Sequence, residues 1–193
     1  MGFLSKNASA TVSSTGTGGG YLQVSKLPDG GSVRFALLSD EPLEFYETWG
    51  TSSDGKSKPF RFDFEPTYED VVAEMGDFEP REGRGGPGTA DVKFAIACPV
   101  YSYDSGRVQV LSLTQKSILK ELDQISQMED YDDLLAWDFN LSKKGSGLTT
   151  EYTLRPVPRK KGVQEHIDAA WLEAKAEGFD IGRLLTGGNP FQA

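Results

Sequence analysis

The sequence predicts a mainly β fold, an OB-fold-like barrel of five to six strands with one helix between strands 3 and 4 and another helix near the C-terminus. Three observations carry this prediction. Apolar and polar residues alternate at period two over several short windows, two pairs of these windows face each other across tight turns, and two separate windows repeat apolar residues at helical spacing. The 193 residues suit one domain, large enough to bury a core without staples.

Residues 1–20 are rich in Ser, Thr, Gly and Ala and read as a flexible arm. In the next run Val33, Phe35 and Leu37 alternate with Ser32, Arg34 and Ala36, a strand pattern. Pro42 interrupts it, and Phe45, Glu47 and Trp49 then alternate with Glu44, Tyr46 and Thr48. A long bent strand or a short hairpin would each produce this break. Phe60, Phe62 and Phe64 share one side of a further strand, and three aromatics in a row suit a core. Residues 65–90 are acidic and glycine-punctuated, with a short helix predicted behind Thr67 as N-cap.

Residues 91–103 and 107–114 flank an Asp-Ser-Gly turn and read as a hairpin. Ile118, Leu119, Leu122 and Ile125 then fall on one helical stripe, with Thr114 as the expected N-cap. A second hairpin follows across the Lys143–Gly147 turn, with Trp137 and Phe139 expected in the core and Pro156 and Pro158 expected to end its last strand. Val163, Ile167, Ala170, Trp171 and Ala174 mark the C-terminal helix, and the glycine-rich remainder reads as loosely held. Residues 21–160 thus form the expected OB-fold core, and 161–193 a helix and tail available to a partner or a second copy. This order of strands and helix is what points to an OB-fold.

A single cysteine, Cys98, excludes an internal disulfide framework, and with one histidine, His166, no His/Cys metal cluster can be assembled. Cys98 reads as a small buried hydrophobe and His166 as a surface residue. No metal or cofactor is expected. No apolar run approaches the ~20 residues of a membrane span, and no secretory signal is apparent. A soluble, reducing, cytoplasmic setting is the expectation.

The net charge of −9 argues against a polyanionic ligand, but the charges are segregated. Residues 63–82 carry eight acids and one base, and Glu129, Asp130, Asp132 and Asp133 form a second acidic block. Arg155, Arg159, Lys160 and Lys161 have no acid among them, and Lys56, Lys58 and Arg61 are similarly clustered. A basic face with acidic loops would have this pattern.

The stretch from Ser117 to Pro158 resembles the C-terminal part of bacteriophage single-stranded DNA-binding proteins, the T4-like helix-destabilising family in the broad sense. The resemblance rests on an amphipathic helix (Ile118 to Ile125), the acidic loop at 129–133, an aspartate-bearing strand (Asp138), a basic glycine-containing turn (Lys143 to Gly147) and Thr150-Glu151-Tyr152 followed by Pro156. Residues 30–49 and 58–64 resemble the opening of the same barrel. The resemblance implies sequence-non-specific binding of single-stranded DNA in viral replication, recombination and repair, inside an infected host cell. It also implies replication or recombination proteins as partners, and homo-oligomers or cooperative assembly on DNA. Two departures stand out. The zinc ribbon of the best-known members has no ligands here, its place being taken by 65–90, and the acidic C-terminal tail is missing.

Such binding needs rings that stack on bases and cations that meet phosphates. Tyr46, Trp49, Tyr101, Tyr103 and Tyr152 are the candidate rings. Arg34, Lys56, Lys58, Arg61, Lys93, Arg107, Lys143, Lys144, Arg155 and Arg159 are the candidate cations. An enzyme is not expected: Asp91, Asp104 or Asp138 with Lys93 would make a nuclease-like set, but no motif ties them together, and neither glycine-rich segment is a phosphate loop. A viral structural or adaptor protein with no nucleic-acid binding is the alternative. A binder of structured RNA or duplex DNA is a third reading.

Overall fold

A computed structural model describes residues 20–192, so the expected N-terminal arm falls, but for Gly20, outside the described residues. Strands β2 (Ser32–Leu37) and β3 (Leu43–Ser52) lie end to end along one side of the long strand β6 (Lys93–Ser102). Phe35 sits opposite Ser102 and Glu47 opposite Lys93, and between the two strands the Leu38 amide donates to the Pro99 carbonyl at 3.0 Å. The interruption at Pro42 is therefore a bend in one long lane rather than a hairpin.

Strand β7 (Arg107–Leu113) pairs with the other side of β6, completing the first predicted hairpin. Strands β8 (Trp137–Lys144) and β9 (Glu151–Pro158) form the second, and β8 joins it to β2. A short β1 (Tyr21–Leu22) runs parallel along β7, which makes the sheet mixed. The β3 end branches into β4 (Ser57–Phe62) and β5 (Phe78–Pro80).

The sheet is open, not the closed barrel the element order suggested. Its outer edges are occupied. Along β7 the Val110 amide donates to Gly20. On β9 the Leu154 amide points outward to the Glu121 carboxylate, which places residues 152, 154, 156 and 158 on the outer edge. Pro156 and Pro158 have no N–H to offer there. Pro158 is the last residue of β9, as expected, whereas Pro156 does not end the strand but sits inside it and blunts its edge.

Helix α1 (Tyr68–Met75) is the predicted short helix, capped as expected by Thr67. Thr67 Oγ1 accepts from the Asp70 amide at 3.2 Å while Asp70 accepts from the Thr67 amide at 2.8 Å, a capping box that holds the Asp70 carboxyl below its usual range. Val71 and Met75 pack on Phe60 and Phe62, giving this acidic segment a small core of its own. Phe64 is not part of that row: the strand ends at Phe62 and Phe64 is 52 % exposed.

Helix α2 (Lys116–Ser126) follows β7, which is the fourth principal strand when the bent lane counts as one, not the third. Its N-cap is Gln115, with no side-chain bond, rather than Thr114. Ile118 and Ile125 seal one face of the sheet over Val33, Phe35, Cys98, Val100, Phe139 and Leu141. Helix α3 (Gln164–Ala176) covers part of the other face with its predicted stripe. The tail is not loosely held. Leu184 is buried, Phe179 and Phe191 pack beneath α3, and Arg183 donates to the Gly178 carbonyl at 2.8 Å.

Cover on both faces explains why eight consecutive residues of β6 are buried. Burial pushes the Cys98 thiol up to about 12, so it stays protonated and inert. Among the described residues no helix is long and apolar enough to cross a membrane.

Candidate nucleic-acid interface

Alternation along a strand sends successive side chains to opposite faces. In β2, β8 and β9 it sends Val33, Phe35, Phe139, Leu141 and Leu154 into the core under α2. The intervening residues must then share the other face. Cross-strand registry aligns Arg34, Asn140 and Arg155 in one row, and Ser32, Ser142 and Thr153 in the next. Lys144 pairs with Glu151 in a third. Helix α3 covers the β6–β7 side of this face, over Ala36, Tyr101 and Val108, and leaves the β2–β8–β9 side uncovered. The result is an open, polar, hydroxyl-lined sheet surface.

At its border lies Asp138, completely buried, with one guanidinium on each carboxylate oxygen. Arg34 reaches Oδ2 at 2.7 Å through Nη2 and 2.9 Å through Nε, and Arg159 reaches Oδ1 at 3.0 Å. Further bonds hold the pair: Arg34 Nη2 also donates to the Pro158 carbonyl at 2.7 Å, and Arg159 donates to the Trp137 carbonyl at 2.8 Å and to Gln164 at 2.6 Å. One negative charge thus fixes two positive ones, and the cluster keeps an excess cation. Arg34 remains about a quarter exposed, whereas Arg159 is nearly enclosed.

Tyr103 continues β6, its amide donating to the Arg34 carbonyl at 3.1 Å. The Arg34 guanidinium lies 5.3 Å from its ring centre and the Lys160 ammonium 5.0 Å, so the ring sits between two cations. Burial first, and the Asp138 carboxylate second, push its phenol up to about 12. Its Oη is enclosed without a hydrogen bond of ordinary geometry. Arg34, Lys144, Arg155, Arg159 and Lys160 share this surface with Asp138 and Glu151, and Asp29 and Asp168 stand at its rim on Gly145 and Gln164, so five cations meet four anions in a chain of net −9.

Five of the sequence candidates therefore meet here: Arg34, Tyr103, Lys144, Arg155 and Arg159. The other ten do not, each for a structural reason. Tyr101 is buried under α3, edge-on to Tyr103 at 5.5 Å, and cannot be the exposed platform expected of it. Tyr152 packs into the opposite core. Lys143 points the same way and donates to the Ser25 and Leu27 carbonyls at 3.0 and 2.8 Å. Lys56 pairs with Asp54 and Lys93 with Asp91, both exposed. Lys58 lies over the Phe60 and Phe78 rings. Tyr46 lies half-buried beside Phe94.

Trp49, Arg61 and Arg107 line a different cleft of about 1240 Å³ between β1, the β6–β7 tip and α3. Glu47, Glu173 and Glu177 line it too, and Arg61 is paired with Glu47 at 3.0 Å, so the cleft is no phosphate groove. Asn140, Ser142, Thr153 and Lys160 were missed. The alternation within Trp137–Lys144 and Glu151–Pro158, aligned as a hairpin, would have put the first three beside Arg155. Asp138, weighed above as one acid of a nuclease-like set, is committed to two arginines. No protein-family model, curated protein or solved structure matches this chain.

Proposed function

We propose that the protein binds single-stranded nucleic acid, DNA by its resemblance to the phage proteins, across the uncovered β2–β8–β9 face. The observation that carries this reading is the convergence of Arg34, Tyr103, Lys144, Arg155 and Arg159, far apart in sequence, on one polar surface of an acidic chain. Arg155, Lys144 and Lys160 are exposed and meet phosphates directly, and Arg34 is held in place by Asp138. Asn140, Ser142 and Thr153 supply hydrogen bonds to sugar and phosphate. Tyr103 offers the one ring, already flanked by cations, for a base to lie against.

The mechanism thus leans on phosphate contacts more than on stacking, and sequence preference should be weak. The bent lane of β2 and β3 and the helix between two hairpins also suit an OB-related ancestry, although the sheet stays open. A role in viral replication, recombination or repair, with their proteins as partners, follows from the resemblance. The competing reading, an adaptor without nucleic-acid binding, is favoured by the burial of Tyr101 and Tyr152.

A salt titration of labelled oligo-dT anisotropy separates the two. Four phosphate contacts, from Arg34, Lys144, Arg155 and Lys160, at about −0.7 each predict a log–log slope of about −3. Duplex DNA of equal length should compete weakly, because a flat sheet face follows a flexible strand better than a rigid one. No binding at low salt would leave the adaptor reading. Equal competition by duplex would transfer the face to double-stranded ligands.

A further inference from the structure

On the other face of the sheet, a strip between α1 and α2 is left uncovered. Phe94 lies two residues along β6 from Ile96, where the core under α2 begins. Tyr46 is the cross-strand partner of both Phe94 and Phe62, and Phe94 meets it edge-on at 5.5 Å. Phe64 extends the row, edge-on to Phe62 at 5.9 Å. The row ends in exposed rings at both sides, Phe64 at 52 % and Phe94 at 40 %. Single exposed apolar residues are ordinary, but here two exposed rings flank the half-buried Tyr46 and the buried Phe62, a spaced pair of apolar contacts of the kind an interface uses.

The surroundings are acidic. Glu44 neighbours Tyr46 on the same face of β3, and Asp63 and Glu65 bracket Phe64, all three exposed. Lys93, the nearby base, is paired with Asp91 at 3.1 Å. These carboxylates disfavour a nucleic-acid strand. They also disfavour a symmetric pair of copies, which would bring the same acids face to face. We propose that this strip docks a cationic, apolar segment of a partner protein, its apolar side chains against Phe64, Phe94 and Tyr46 and its Lys or Arg residues against Glu44, Asp63 and Glu65. The proposal does not rest on the nucleic-acid reading, since the two surfaces lie on opposite faces.

The test uses the full chain and a synthetic peptide in which leucine and phenylalanine alternate with lysine, with calorimetry as the readout. The peptide should bind the native protein. Binding should fall about tenfold or more in Phe64→Ser/Phe94→Ser and, independently, in Asp63→Lys/Glu65→Lys, all four being exposed positions. Oligo-dT affinity should be unchanged in Phe64→Ser/Phe94→Ser. A peptide with glutamate in place of lysine should fail to bind, and polylysine should bind more weakly. Four results would overturn the proposal: no binding of the lysine peptide; equal binding by Phe64→Ser/Phe94→Ser; equal binding of polylysine or the glutamate peptide; and a dimer in sedimentation that the phenylalanine substitutions abolish, which would assign the strip to a second copy.

Discussion

Replacing Asp138 by alanine is expected to destabilise the protein by about 3–5 kcal/mol, the range for removing one partner of a buried ion pair. The carboxylate is fully buried and accepts from two guanidiniums. Without it, Arg34 and Arg159 repel each other across a desolvated gap, and β2, β8 and the chain leading into α3 lose their common tie. Urea denaturation followed by far-ultraviolet dichroism measures the loss. For a chain of this length about 3 kcal/mol also lowers the melting temperature by roughly 6–12 °C. A change below 1 kcal/mol would mean that the cluster relaxes easily and that the arginines are not held by Asp138. Oligo-dT affinity should fall in the same variant, because Arg34 loses its fixed position.

The second large effect is expected from Lys144→Glu combined with Arg155→Glu. Both side chains are exposed on the open face and neither supports the core, so stability should change little. Reversal replaces two attractions to phosphate with two repulsions, and a loss of about tenfold per site, about a hundredfold together, is the expected order. Anisotropy of labelled oligo-dT is the measurement. Lys56→Glu serves as the control: Lys56 lies in the β3–β4 loop, away from the face, and its reversal should leave affinity nearly unchanged.

Most strands and helices were legible because each is amphipathic by itself, while β6, buried on both faces, was legible from its apolar run and the turn that follows it. The Thr67 capping box, the α2 and α3 stripes and both hairpins follow from local spacing. Edge geometry was not legible. Whether Pro156 terminates a strand or blunts an edge depends on which side β8 lies, and that is a long-range fact. The same holds for closure: a helix between hairpins suggests a barrel, but the edges are taken by β1 and by Glu121.

The site was half legible. Residue type singled out cations and rings as candidates, but it could not tell which would be spent on structure. Lys143 and Lys144 are adjacent and chemically alike, yet alternation sends one to cap carbonyls of 25 and 27 and the other into solvent. Tyr101 and Tyr103, two residues apart on one face, both pack against the α3 cluster, but Tyr101 is buried in it and Tyr103 only partly buried at its margin. A sequence read strand by strand, with hairpin registers imposed, would have found the Arg34–Asn140–Arg155 row.

Photo-crosslinking of an oligonucleotide carrying 5-iododeoxyuridine, followed by peptide mapping, reads which surface meets the strand. With the strand on the β2–β8–β9 face, adducts are expected at Tyr103 and in the peptides spanning 138–144 and 151–160, reduced by Lys144→Glu/Arg155→Glu. Adducts confined to Trp49, Tyr46 or Phe64, or none on β8 and β9, would contradict that placement.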